Sequence, residues 1–224
     1  MTSSPVLPVP DDAPRATTSG PPAGPGAQAS AGRDVALVAV FAALIIVLSL
    51  VPSVPVGAAG VPISLQTLGV MLAALILGPW RGLAAVAVYV ALGAAGLPIF
   101  AEGGAGLAVM FGPTAGYIYG WLPGAVVTGV VALLAVRRTR GRLPLLVLAA
   151  ALGGVVVTYL GGWIGLMIVL GFSPLEAVLA GVLPYLPGDG VKVVLAAFAA
   201  AAVHRAFPDV LVRRAGRAAP VSAT

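Results

Sequence analysis

Apolar residues in this chain come in long unbroken blocks, not in the alternation of a half-buried strand or the stripe of an amphipathic helix. A helix needs about 20 mostly apolar residues, with a range near 17 to 25, to cross a bilayer. Six stretches are read as such spans: 35–51, 61–77, 81–97, 113–136, 143–170 and 187–207. The compact run of the second, Leu65 to Leu77, is short, and the apolar stretch from Val61 lengthens it before the Gly78-Pro79-Trp80-Arg81 turn. Leu175 to Phe207 is too long for one untilted helix, and Pro184 and Pro187 divide it because neither can donate an interior helix hydrogen bond. Ser173 to Leu183 is then a short interfacial or re-entrant helix, with Ser173 as N-cap, Pro174 behind it and Glu176 in the first turn. The predicted fold is an all-α integral membrane protein of six transmembrane helices, with this short outer helix before the last.

The polar positions orient the spans. Arg33 precedes the first, Arg81 lies between the second and third, Arg137, Arg138, Arg140 and Arg142 between the fourth and fifth, and Arg205, Arg213, Arg214 and Arg217 at or after the end of the sixth. With six alternating crossings these fall on one side, and cytoplasmic loops are enriched in Lys and Arg. The three opposite loops, around Val51 to Ser64, Pro98 to Phe111 and Gly171 to Leu186, have no Lys or Arg, although they include Glu102 and Glu176. Both termini are therefore expected in the cytoplasm, and the protein in the cytoplasmic membrane. The first 32 residues, dense in Pro, Ala, Ser and Gly, have too little apolar surface to offset ordering entropy and are expected to be a disordered tail. They lack the basic start and apolar core of a secretory signal. Residues 208–224 are expected to form a basic cytoplasmic tail, leaving 33–207 as the membrane domain.

Composition agrees. The 224 residues are 60% hydrophobic and 8% charged, against roughly 25% charged in a soluble domain, and mean hydropathy is +1.09. A water-soluble enzyme is excluded on this ground. The net charge of +5 comes from basic residues set between apolar blocks, so it is read as topology, with lipid and not nucleic acid as the partner. No cysteine removes disulfides, thiolate metal sites and Cys nucleophiles, and the single His204 cannot build a His-ligand site alone. There is no phosphate-binding G-x-x-x-x-G-K-[ST] loop and no H-E-x-x-H, so the chain cannot itself drive transport with ATP. Energy would come from a partner or an ion gradient.

Gly112, Gly116, Gly120 and Gly124 put a smooth ridge on the fourth span, and Gly161 and Gly165 repeat the spacing in the fifth, a pattern for close helix packing in lipid. Ala39 and Ala43 form a small-xxx-small pair in the first, for packing within the bundle or docking to another membrane subunit. Asp189 and Lys192, at i and i+3 in the opening turns of the sixth span, are near enough to interact. Ionisable groups at membrane depth are costly and mark a functional site or a pair. Asp189 could instead stabilise the helix N-terminus and Lys192 snorkel outward. Lys192, however, is the only lysine in the chain, on the side that otherwise avoids basic residues. Gln66 and Thr67 open the second span, Thr114 and Tyr117 the fourth, and Phe100 lies on the outer loop between the third and fourth. Gln66, Thr67, Thr114 and Tyr117 each have an ordinary interfacial reading. Together with Phe100, Asp189 and Lys192 they give amide, hydroxyl, aromatic, acid and base in one layer, the lining a small organic ligand needs.

Four runs in order, Val61-Pro62-Ile63-Ser64-Leu65-Gln66-Thr67-Leu68-Gly69, Gly93-Ala94-Ala95-Gly96-Leu97-Pro98-Ile99-Phe100-Ala101, Phe111-Gly112-Pro113-Thr114-Ala115-Gly116-Tyr117 and Leu186-Pro187-Gly188-Asp189 followed by Lys192, resemble the BioY biotin transporters. These are the substrate-capture (S) components of energy-coupling factor (ECF) transporters. The resemblance implies a six-helix protein that binds biotin from outside and works with a transmembrane coupling subunit and two cytoplasmic ATPases. It implies that Ala39 and Ala43 dock on the coupling subunit, that Asp189 and Lys192 contact ligand, and that the Gly-rich loop after Phe100 acts as a lid. No cofactor is implied beyond biotin as the transported ligand. Biotin suits the residues: its ureido group offers two N–H donors and a carbonyl acceptor for Asp189 and Gln66, its carboxylate needs a cation such as Lys192, and Tyr117 and Phe100 would pack on the fused rings. Alternatives are an S component for another vitamin, a membrane-embedded enzyme using Asp189 and Lys192, and a purely structural assembly subunit.

Overall fold

The computed structural model describes residues 25–55, 61–139, 143–208 and 210. Nine α-helices form among these residues: α1 (Pro25–Ser49), α2 (Gln66–Leu77), α3 (Pro79–Ala94), α4 (Gly106–Met110), α5 (Ala115–Thr139), α6 (Leu143–Ala149), α7 (Thr158–Leu170), α8 (Pro174–Gly181) and α9 (Leu186–Ala206). A π-helical segment, Ala150–Val157, joins α6 to α7, so that 143–170 is one continuous rod. Two-residue strands β1 (Val54–Pro55) and β2 (Pro62–Ile63) pair antiparallel, Val54 opposite Ile63 and Pro55 opposite Pro62.

Among the described residues, four helical stretches are long and apolar enough to cross a membrane: Ala31–Ser49, Ala115–Arg137, Leu143–Leu170 and Leu186–Ala206. Gln66–Leu77 and Pro79–Ala94 are apolar but shorter. Large apolar side chains such as Val40, Leu134, Ile168 and Phe198 stand exposed around the bundle. Apolar patches of that extent are rare on soluble monomers, whereas lipid accepts them. The core lies where α2, running beside α1, α3, α5 and α9, buries Val70, Met71, Leu75 and Leu77 against them.

Several boundaries differ from the sequence expectation. The region 61–77 is helical only from Gln66, because Pro62 disfavours helix at Val61 and the next residues pair as β2. The third helix ends at Ala94, not 97, since Gly96 turns at φ +107° and Leu97 precedes a proline. Helix α1 begins at Pro25, inside the stretch assigned to the N-terminal tail, where Ala and Gln favour helix after a proline. Residues 1–24 of that tail and 211–224 of the C-terminal tail lie outside the described residues, as do Arg140 and Arg142.

The expected short helix before the last long one is present as α8. Ser173 Oγ accepts from the Glu176 N–H, and Glu176 accepts from the Ser173 N–H at 2.8 Å, a reciprocal capping box. That backbone donor holds the Glu176 carboxyl below the usual carboxylate range. The glycine ridge is also present, with one exception. Gly116, Gly120 and Gly124 lie against Gly161, Thr158 and Gly153, so close that a Cβ on Gly116 would meet backbone oxygen. Gly112 lies before α5, against the Ala108 carbonyl, and does not extend the ridge. At the other end of the bundle Arg81 ties three segments: Nε donates to the Leu77 carbonyl at 3.1 Å, Nη1 pairs with Asp34 at 3.4 Å, and Nη2 donates to the Val210 carbonyl.

Candidate functional site

Where α2, α5 and α9 begin and α3 ends, the chain forms a cavity of about 180 Å³. Gln66, Thr67, Phe100, Thr114, Tyr117, Asp189 and Lys192, the seven residues picked out from the sequence, all line it. Ala39 and Ala43 lie elsewhere, exposed on α1.

The ionic centre comes from α9. Leu186-Pro187-Gly188 starts the helix, with proline where a missing N–H costs nothing, and the next turns carry Asp189 and Lys192 inward. Asp189 is 4% and Lys192 6% exposed. Lys192 Nζ donates to Asp189 Oδ1 at 2.6 Å and to Thr67 Oγ1 at 3.1 Å, while Thr67 lies 3.3 Å from the same Oδ1. Tyr159, on α7, donates to Asp189 Oδ2 at 2.6 Å. A buried carboxylate is tolerable only when paired and hydrogen-bonded, and here both oxygens are engaged. Lys192 has three donor hydrogens, two of which these contacts use.

A neutral polar arm runs from α2. Gln66 Nε2 donates to the Tyr89 hydroxyl at 2.6 Å, and Gln66 Oε1 accepts from Ser64 at 2.9 Å. Tyr89 passes the chain on to the Ile99 carbonyl at 3.0 Å, which Ser49 of α1 also reaches. The amide is thereby fixed in one orientation. Phe100 sits edge-on to Tyr89, ring centroids 5.5 Å apart, over Gly93, where a Cβ would strike the ring. Tyr117 fills the space left by Gly162 and donates to the Gly181 carbonyl at 2.5 Å.

Sequence reading did not single out Tyr159, Tyr185, Trp121 or Ser64, all in the cavity wall. Tyr185 donates to the Val61 carbonyl at 2.6 Å, binding the turn before α9 to the extended run before α2, and burial raises its hydroxyl pKa. Tyr159 lies in an apolar span with no local cue, and its partner Asp189 is 30 residues further along the chain. Trp121 follows Tyr117 by four residues, so helical spacing was the available signal. At the cavity rim Glu102 has φ +58°, an uncommon conformation for a residue with a side chain, and accepts from Ser53 at 2.9 Å.

Fold and cavity together define a multi-pass membrane protein with a partly open cavity whose wall carries a buried ion pair. The chain belongs to the BioY family, whose profile matches residues 23–209. A biotin transporter BioY from Rhodobacter capsulatus is 45% identical over 193 residues, covering 81% of this chain and 98% of that protein. One from Rhizobium etli is 41% identical over 179 residues, covering 79% and 95%. The crystal structure of an S-component for biotin from an ECF-type ABC transporter superposes with a TM-score of 0.74 at 28% identity, over 79% of this chain and 93% of that one.

Proposed function

We propose that this chain captures biotin in the cavity and carries it across the cytoplasmic membrane as the S component of an ECF-type transporter. It is a transporter component and not an enzyme. The observation that carries the reading is the Pro-Gly-Asp-x-x-Lys element: in a chain of this family, it supplies the buried ion pair of the cavity wall. Lys192 offers its third hydrogen to the valerate carboxylate. Asp189 is first of all its counter-ion, and it accepts from a ureido N–H by exchanging one of its present bonds. Gln66 and Thr67 complete the polar wall, Thr114 adds a hydroxyl, and Tyr117 and Phe100 pack on the fused rings.

Six crossings with both termini in the cytoplasm put this cavity on the outer side. Helix α2 is only 12 residues long, but with the extended run from Val61 it reaches roughly 34 Å, enough for a hydrocarbon core of about 30 Å. Non-helical backbone at membrane depth is tolerated where it lines a cavity, as Val61 to Ser64 do. Helix α8 then lies at the outer interface. Exposed Ala39 and Ala43 leave one face of α1 smooth for the coupling subunit, which two cytoplasmic ATPases would drive.

Uptake of labelled biotin tests this in cells lacking their own importer, expressing the chain with an ECF coupling subunit and its ATPases. Accumulation is expected with the native chain, and loss of it with Ala39→Trp/Ala43→Trp, while the purified double variant still binds biotin. No accumulation by native chain present in the membrane and associated with that module would overturn the transport reading.

A further inference from the structure

Among the described residues, four buried side-chain nitrogen or oxygen atoms have no hydrogen-bond partner in the protein: Trp121 Nε1, Thr128 Oγ1 and both ring nitrogens of His204. Of these residues only Trp121 lines the cavity. It is 4% exposed, and its ring lies tilted against Tyr89, centroids 6.1 Å apart. The neighbouring polar groups are engaged: Gln66 with Tyr89 and Ser64, Tyr89 with Ile99, and Asp189 with Lys192 and Tyr159.

An indole N–H donates and cannot accept. Buried without a partner such a donor is destabilising, and an acceptor that arrives with the ligand would satisfy it. The acceptor is a small one in an apolar setting, since Ile118 and Phe100 line the cavity beside it. The ligand's carboxylate has a better partner in Lys192, which leaves the uncharged acceptor of the head group. We propose that Trp121 is a specificity-determining residue whose indole N–H donates to the ureido carbonyl oxygen of the ligand, selecting a cyclic urea over rings that present a donor there. This deepens the biotin reading and rests on it.

Two measurements test the assignment on the intact purified protein. The first compares biotin with 2-iminobiotin at neutral pH, where the ureido oxygen is replaced by a protonated imino group that only donates. The native chain is expected to prefer biotin, and Trp121→Phe to narrow that preference by about fivefold to tenfold. Phe198→Leu, at an exposed position outside the cavity wall, should leave the preference unchanged. The second needs no substitution at Trp121. With ¹⁵N-indole-labelled tryptophan the chain gives three indole signals, from Trp80, Trp121 and Trp163, assigned with Trp80→Phe and Trp163→Phe. The Trp121 proton should shift downfield at biotin saturation and not with 2-iminobiotin. Saturable biotin binding with an unshifted Trp121 signal, or an unchanged preference in folded Trp121→Phe, would overturn this assignment. Absence of biotin binding by the folded native chain would overturn the parent reading instead, and this inference with it.

Discussion

Asp189 is held by three side chains from three helices: Lys192 from its own, Thr67 from α2 and Tyr159 from α7. Removing one of them asks a buried carboxylate to keep its charge with fewer donors. Tyr159→Phe keeps the ring and deletes only the O–H, and the lost bond to a charged acceptor should cost about 1–3 kcal/mol. A lower thermal midpoint in detergent and weaker biotin binding are expected together, with Asp189 freer to pull Lys192 away from a ligand carboxylate. Unchanged values of both would show that Oδ2 is satisfied without Tyr159. The sequence disclosed this centre except for Tyr159. An aspartate and the chain's only lysine, three apart in a span, are visible because charge is rare there. A tyrosine in an apolar run is not, because its meaning comes from a contact 30 residues away in sequence. Gln66 and Thr67 were readable from their place at a span start, but the Ser64–Gln66–Tyr89–Ile99 chain that orients the amide exists only in three dimensions.

Glycine spacing governs the contact between α5 and the 143–170 rod. Gly116 and Gly161 face one another so closely that a Cβ on Gly161 would lie 2.5 Å from the Gly116 carbonyl oxygen, and backbone cannot swing aside as a side chain can. Gly161→Ala should therefore force the helices apart and destabilise the fold by about 1–3 kcal/mol. Gly190→Ala, where nothing lies within 4 Å, should be neutral or stabilising, since alanine is the better helix former. Thermal unfolding of the two variants checks both signs, and an equal effect would contradict this packing. The four-residue period announced the interface, yet it also drew in Gly112, which periodicity cannot distinguish from a glycine in the turn before the helix. The π-helical segment was not legible either. Gly153 and Gly154 permit it, Gly153 lying against Gly124 and Thr128, and Thr158 Oγ1 reaches the Gly153 carbonyl at 3.4 Å. A glycine pair in a span does not by itself say that the helix widens.

For the whole molecule, the alternation of apolar blocks with arginine-bearing and arginine-free loops carries both the proposed span count and the proposed orientation. The second block was the hardest to read, since hydropathy does not separate an extended run in a cavity wall from the first turns of a helix. That extended run, Val61 to Ser64, leads into α2 at Gln66 and Thr67, which line the same cavity as Asp189 and Lys192 of α9. The central claim is that the chamber around Lys192 is a biotin site. Calorimetric titration of the purified native chain in detergent, with thiamine as the comparison and Asp189→Asn and Lys192→Ala alongside, tests it most directly. Saturable biotin binding is expected, none with thiamine, and a loss of at least about tenfold in each folded variant, as befits a charge-assisted contact removed from a buried site. Failure of folded native protein to bind biotin, or undiminished affinity in Lys192→Ala, would contradict it.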